Sequence, residues 1–126
     1  MRCQVTVETT ADGKKTKIAR EGELQITPTG ATLSYAEENA NVTLTLQNGT
    51  AQIVRQGDYT LCMRLEKGKT TSASLSLGGS VGEMQTKTER IGYAIQDKEL
   101  SLQLKYTLFA TGEPQRMQVK IHAKEV

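Results

Sequence analysis

Residues 42–55, VTLTLQNGTAQIVR, decide how this chain folds. Val42, Leu44 and Leu46 alternate with polar Thr43, Thr45 and Gln47. After Asn48-Gly49, Ala51, Ile53 and Arg55 continue the alternation. A period of two marks a strand with one buried face, and Asn-Gly tolerates the positive φ of a two-residue type I′ turn. Such a turn pairs Leu46 with Ala51, Leu44 with Ile53 and Val42 with Arg55, so the two apolar faces coincide. The last inward residue, Arg55, is charged.

The same period runs outward in both directions. Strands are expected near 2–9, 15–27, 31–37, 42–47, 50–55, 59–65, 69–77, 83–96, 99–109 and 115–124. Thr, Val, Ile, Leu and Tyr fill them, and Gly, Asn, Asp and Pro separate them. No segment carries the three-and-four spacing of a helix. Short connections imply an antiparallel meander, and closing it removes two long exposed edges. The expected fold is therefore all-β with little or no helix: one domain over residues 1–126, a closed meander barrel of about eight to ten strands.

A second charge breaks the apolar face in Leu33, Tyr35, Glu37. Reading Glu38–Asn41 as a four-residue loop pairs Glu37 with Val42. Three-residue loops at Gln56–Asp58 and Glu66–Gly68 pair Arg55 with Tyr59 and Tyr59 with Leu75. Glu37, Val42, Arg55, Tyr59 and Leu75 then share one row. Strands about 4.8 Å apart leave Glu37 and Arg55 able to meet over Val42. The pair reads either as an internal ion pair that fixes the barrel or as an anchor whose planar guanidinium greets a ligand's carboxylate or phosphate. Tyr35, Tyr59 and Tyr106 point inward, where a buried phenol needs a hydrogen-bond partner, and Thr86 and Thr88 are small inward polar residues. The candidate site is Arg55, Glu37, Tyr35, Tyr59, Thr86 and Tyr106. Further on, a β-bulge near Glu89-Arg90 reconciles the parity of Thr88 with that of Ile91. A Gly112-Glu113 turn pairs Leu108 with Met117 and Tyr106 with Val119, and turns His122 outward.

A net charge of +2 with 24% charged residues does not suggest a nucleic-acid partner. Lys14, Lys15 and Lys17 read as a solvated hairpin tip. Cys3 shares the inner face with Val5 and Val7, and Cys62 lies opposite Leu61 and Met63. Two such cysteines read as free thiols in a reducing cytoplasm. Two cysteines and one histidine make no zinc set, and neither metal nor cofactor is expected. There is no signal-peptide core and no membrane-length apolar run. The one histidine faces out, no nucleophile has an adjacent base and no glycine loop cradles phosphate, so no enzyme is expected. Val54 and Phe109 are apolar on outer faces, consistent with a monomer or a weak homodimer.

From about residue 22 to the C-terminus the chain resembles the DUF1934 family, the YwiB-like uncharacterised bacterial proteins with a calycin-like, lipocalin-like β-barrel. The resemblance is carried by Tyr35-Ala36-Glu37, Arg55-Gln56-Gly57, Gly82 with Thr86, and Leu104-Lys105-Tyr106-Thr107-Leu108. It implies a closed antiparallel barrel in a bacterial cytoplasmic protein and supplies no activity. The stretch LSLGGSVG at 75–82 departs from the family by lacking an aromatic residue. The expected function is non-catalytic: a barrel holding a small, partly apolar, anionic ligand near Arg55 and Glu37. The alternative is a structural or protein-interaction barrel with a filled core.

Overall fold

The computed structural model of the chain describes residues 1–110 and 112–126. Alternating residues form strands throughout these: β1 Arg2–Ala11, β2 Lys14–Thr27, β3 Gly30–Glu37, β4 Ala40–Gln47, β5 Thr50–Gly57, β6 Thr60–Glu66, β7 Thr70–Leu77, β8 Ser80–Gln96, β9 Glu99–Phe109 and β10 Gln115–Glu125. Each pairs antiparallel with its sequence neighbours, and β1 with β10 closes the barrel. No helix among the described residues is long and apolar enough to cross a membrane.

The inner face is packed with leucine. Leu24, Leu33, Leu44, Leu46, Leu65, Leu100, Leu102 and Leu104 are all buried in one cluster with Val5 and Cys3. Each leucine removed from water contributes about 1.5–3 kcal/mol. These side chains fill the middle of the barrel, so space for a ligand has to be sought at its end.

The Asn48-Gly49 hairpin has the expected register, Val42 with Arg55 and Leu46 with Ala51. Its turn residues have φ of 51° and 80°. The β-bulge lies between Thr88 and Arg90, also as expected. Four other pairings differ, each by two residues. Glu38-Asn39 forms a two-residue turn, with Asn39 at φ 62°, and pairs Tyr35 with Val42 and Glu37 with Ala40. Asn adopts this left-handed conformation more readily than most residues, so the tight turn displaces the expected four-residue loop. Between β5 and β6 the loop is Gly57-Asp58-Tyr59, which pairs Arg55 with Leu61 in place of Tyr59. Leu61, not Tyr59, faces Leu75. Tyr106 faces Met117, not Val119. The expected Gly112-Glu113 turn adjoins Thr111, which lies outside the described residues. A two-residue slip preserves which side chains point inward, so the strand faces survive while the rows move; the exception is Tyr59, expected at an inward strand position and found in the loop before β6.

The observed row is Gly22, Tyr35, Val42, Arg55, Leu61, Leu75, Gly82. Beyond Gly22–Tyr35 the β2–β3 ladder stops, although β2 continues on β1 as far as Lys14. Gly22 sits where the strands part. A Cβ there would lie 2.4 Å from the Ser34 carbonyl oxygen, which no other residue could accommodate without displacement.

Candidate functional site

Arg55 and Glu37 do meet. Because Glu37 stands one row beyond Arg55, the contact is diagonal: Arg55 Nε to Glu37 Oε2, 3.6 Å. The loop that follows β5 engages the rest of the guanidinium. Nη1 lies 3.0 Å from Asp58 Oδ1 and donates to the Tyr59 carbonyl at 3.1 Å. The Tyr59 ring stacks on it with its centroid 3.8 Å from Cζ, a cation–π contact. The side chain is only 14% exposed. Its hydrogen bond holds the Asp58 carboxyl below the usual carboxylate range. Two carboxylates thus surround one guanidinium, so the cluster carries a net charge of −1 and offers little attraction to an incoming anion.

Tyr35 and Tyr106 are buried as expected. Burial, and then the nearby Glu37 carboxylate and Tyr106, push the Tyr35 phenol up to about 12. Burial alone pushes Tyr106 up to about 12. Thr86 and Thr88 also face inward and are fully buried, and neither Oγ1 has a hydrogen-bond partner among the described residues. They lie beyond Met84 along β8, beside Leu108 and Tyr106, away from the row of Arg55. The structure therefore gathers Arg55, Glu37 and Tyr59 directly, sets Tyr35 beside Glu37, and leaves Thr86 elsewhere in the barrel.

Arg20 is the residue that sequence reasoning missed. It stands on β2 opposite Val5, on the same face as Ile18 and Leu24. Continuing the β2–β3 register past its end would set it opposite Glu37, but there the strands have parted. The cleft between them holds about 330 Å³ and is lined by Val7, Thr9, Thr16, Ile18, Arg20 and Glu37, with Glu38 at the rim. Arg20 Nη1 donates only to the adjacent Ala19 carbonyl, at 2.9 Å, and no acid lies within ion-pair distance among the described residues. The signal that finds it is the one that found Glu37 and Arg55: a charge at an inward position between Ile18 and Leu24. The polar composition of KKTKIAREGELQIT conceals that face.

Cys3 is buried and its thiol is pushed up, mainly by burial, so it is unreactive. No group of three or more His, Cys, Asp or Glu side chains among the described residues is arranged to hold a metal. His122 lies on the outer face against Glu99.

No curated protein matches the chain. A solved structure, the crystal structure of ywiB protein from Bacillus subtilis, superposes with a TM-score of 0.85 at 17% identity, covering 99% of this chain and 92% of that one. At that identity the likeness speaks for the fold. A family model described as a domain of unknown function, DUF1934, matches residues 2–121. With nearly the whole chain spanned by that match and the barrel shared, the chain belongs to the DUF1934 family.

Proposed function

We propose that this barrel is a non-catalytic binding protein. Its ligand is small, partly apolar and anionic, and seats in the cleft where β2 leaves β3. The carboxylate or phosphate rests on Arg20 and the apolar part on Val7 and Ile18. One observation carries this reading: an inward-facing arginine with no acid within ion-pair distance lines a 330 Å³ cleft beside Val7 and Ile18, and because Glu37 and Glu38 line it too, the anionic group has to sit on the Arg20 side. Such a volume is at the small end of ligand pockets. Glu37, Arg55, Asp58 and Tyr59 then act as the frame of the barrel mouth, holding the β5–β6 loop against β3. Binding is favoured over catalysis because the one histidine lies on the outer face, away from the cleft.

The packed leucine core favours a second reading, a barrel that works only through its surface. Titration with octanoate, followed by NMR at the methyl groups of Val7 and Ile18, separates the two. Binding in the cleft predicts saturable shifts there that weaken about tenfold in Arg20→Gln, the loss of one charge-assisted contact. Shifts that are absent, or equal in the variant, refute the cleft reading. Native mass spectrometry of freshly purified protein would reveal a retained ligand directly.

A further inference from the structure

The outer wall of the barrel bears a groove of about 470 Å³ that crosses β8, β9, β10, β1 and β2. Outward side chains line up across these strands. One row reads Lys17, Glu8, Lys120, Gln103, Gly92. With strands about 4.8 Å apart, Lys120 stands roughly 10 Å from each end of that row. The adjacent row supplies the small residues Thr6, Ser101 and Ala94. Arg90 borders the groove from the other side.

The charges in this groove are unbalanced. Lys15 takes the Glu8 carboxylate at 3.0 Å and His122 engages Glu99. Lys17, Lys120 and Arg90 have no acid within ion-pair distance among the described residues. Glu8 stands between Lys17 and Lys120 and offsets part of their charge, but the wall keeps an excess of cations that the modest net charge of the whole chain conceals.

Gly92 supplies an independent observation. It sits in the interior of the longest strand, where glycine costs about 0.5–1 kcal/mol relative to alanine. It does not have a positive φ. A Cβ there would meet nothing nearer than Arg90 Nε at 3.7 Å. Unlike Gly22, it answers no demand of turn or packing. A glycine inside a strand marks a bulge, a bend or close approach by another group; the bulge here lies at Thr88/Arg90, two residues before Gly92, and the group that can approach Gly92 comes from solvent, over the floor of the groove.

We propose that this groove is a binding site for a small phosphorylated molecule. Lys120 and the planar fork of Arg90 hold a phosphomonoester dianion from two sides, Lys17 adds field from the far wall, and the polar body lies over Gly92 and Ser101. Paired point-charge and bidentate donors suit a phosphate group. A nucleic-acid strand fits less well. The outward positions of these rows carry no Phe, Tyr or Trp on which bases could stack; their one aromatic ring, His122, is engaged by Glu99, and Tyr93 faces inward opposite Leu102. The site is separate from the cleft beside Arg20 and stands whether or not that cleft binds anything.

The test is an amide NMR titration of the full chain at low salt with inorganic phosphate, glucose 6-phosphate and oligothymidylate as probes. The proposal predicts saturable shifts at Gly92, Ser101 and Lys120 with glucose 6-phosphate, and affinity falling about tenfold in Lys120→Gln and in Arg90→Gln. Gly92→Val fills the floor where the fold has room, so its thermal midpoint holds while its affinity falls likewise. Three results overturn the proposal: no shifts up to about 10 mM probe, shifts spread equally to Lys67 and Lys69 on the far wall, or tighter capture of oligothymidylate than of the phosphate ester. Unchanged affinity in a folded Gly92→Val removes the floor from the site and overturns it as well. Should that variant fail to fold, the lysine and arginine variants decide the matter.

Discussion

Replacing Thr86 and Thr88 by valine should stabilise the barrel. Both side chains are fully buried, and both Oγ1 atoms lack a hydrogen-bond partner among the described residues. A hydroxyl taken from water without compensation costs about 1–3 kcal/mol on mutational scales. Valine keeps the branched shape and the β-propensity of threonine, so the substitution opens no cavity and loses no ladder bond. Each single change should therefore gain about 1–2 kcal/mol, with some of the penalty recovered by local relaxation. The two sites share one face of β8 two residues apart, so the double change should gain about 2–3 kcal/mol, less than the full sum. For a domain of this size that corresponds to a rise in thermal midpoint of about 6–15 °C. With four tyrosines and no tryptophan, urea unfolding is best followed by far-ultraviolet circular dichroism and tyrosine emission. A loss of stability in either single variant refutes the reasoning. It would mean that the hydroxyls are satisfied inside the barrel by ordered water or a bound group.

Arg55→Met should lower the urea midpoint by leaving Glu37 and Asp58 without their shared cation, and Glu37→Gln in the same chain should recover part of the loss; strict additivity would show that the 3.6 Å contact carries no coupling. The two buried phenols predict alkaline instability. Their folded value of about 12 lies above the unfolded value of 10.0, so the unfolded chain loses its protons first. Stability is thus full below about pH 10 and declines as pH rises towards 12, by about 2–3 kcal/mol for each phenol. Tyr35→Phe with Tyr106→Phe should flatten the urea-midpoint profile in that window, and an unaltered slope would contradict the assignment. Gly49→Val forces a β-branched residue to φ 80° and should cost about 1–3 kcal/mol by urea unfolding, where an unchanged midpoint would mean that the turn had rearranged without penalty.

Much of this architecture is legible in the residues themselves. A period of two assigns each side chain to a face without reference to any partner, so ten strands, the inward leucines, the outward His122 and the bulge near Glu89 follow from local pattern. The ion pair was legible for the same reason: Glu37 and Arg55 are charges at inward positions. Arg20 obeys the same rule. It escaped notice because a strand as polar as β2 shows its inner face only once Val5 and Val7 are seen across from it.

The sequence by itself determined which way the side chains point and that the chain turns back at Asn48-Gly49. The tertiary structure alone decided how far each strand slides along its neighbour and where two strands part. A slip of two residues leaves every face unchanged, so alternation cannot detect it. The slip is set by whether Asn39 accepts a left-handed turn and whether the Gly57–Tyr59 loop wraps Arg55. The parting of β2 from β3 depends on barrel closure between strands distant in sequence. It is this parting that separates Arg20 from Glu37 and opens the cleft between them.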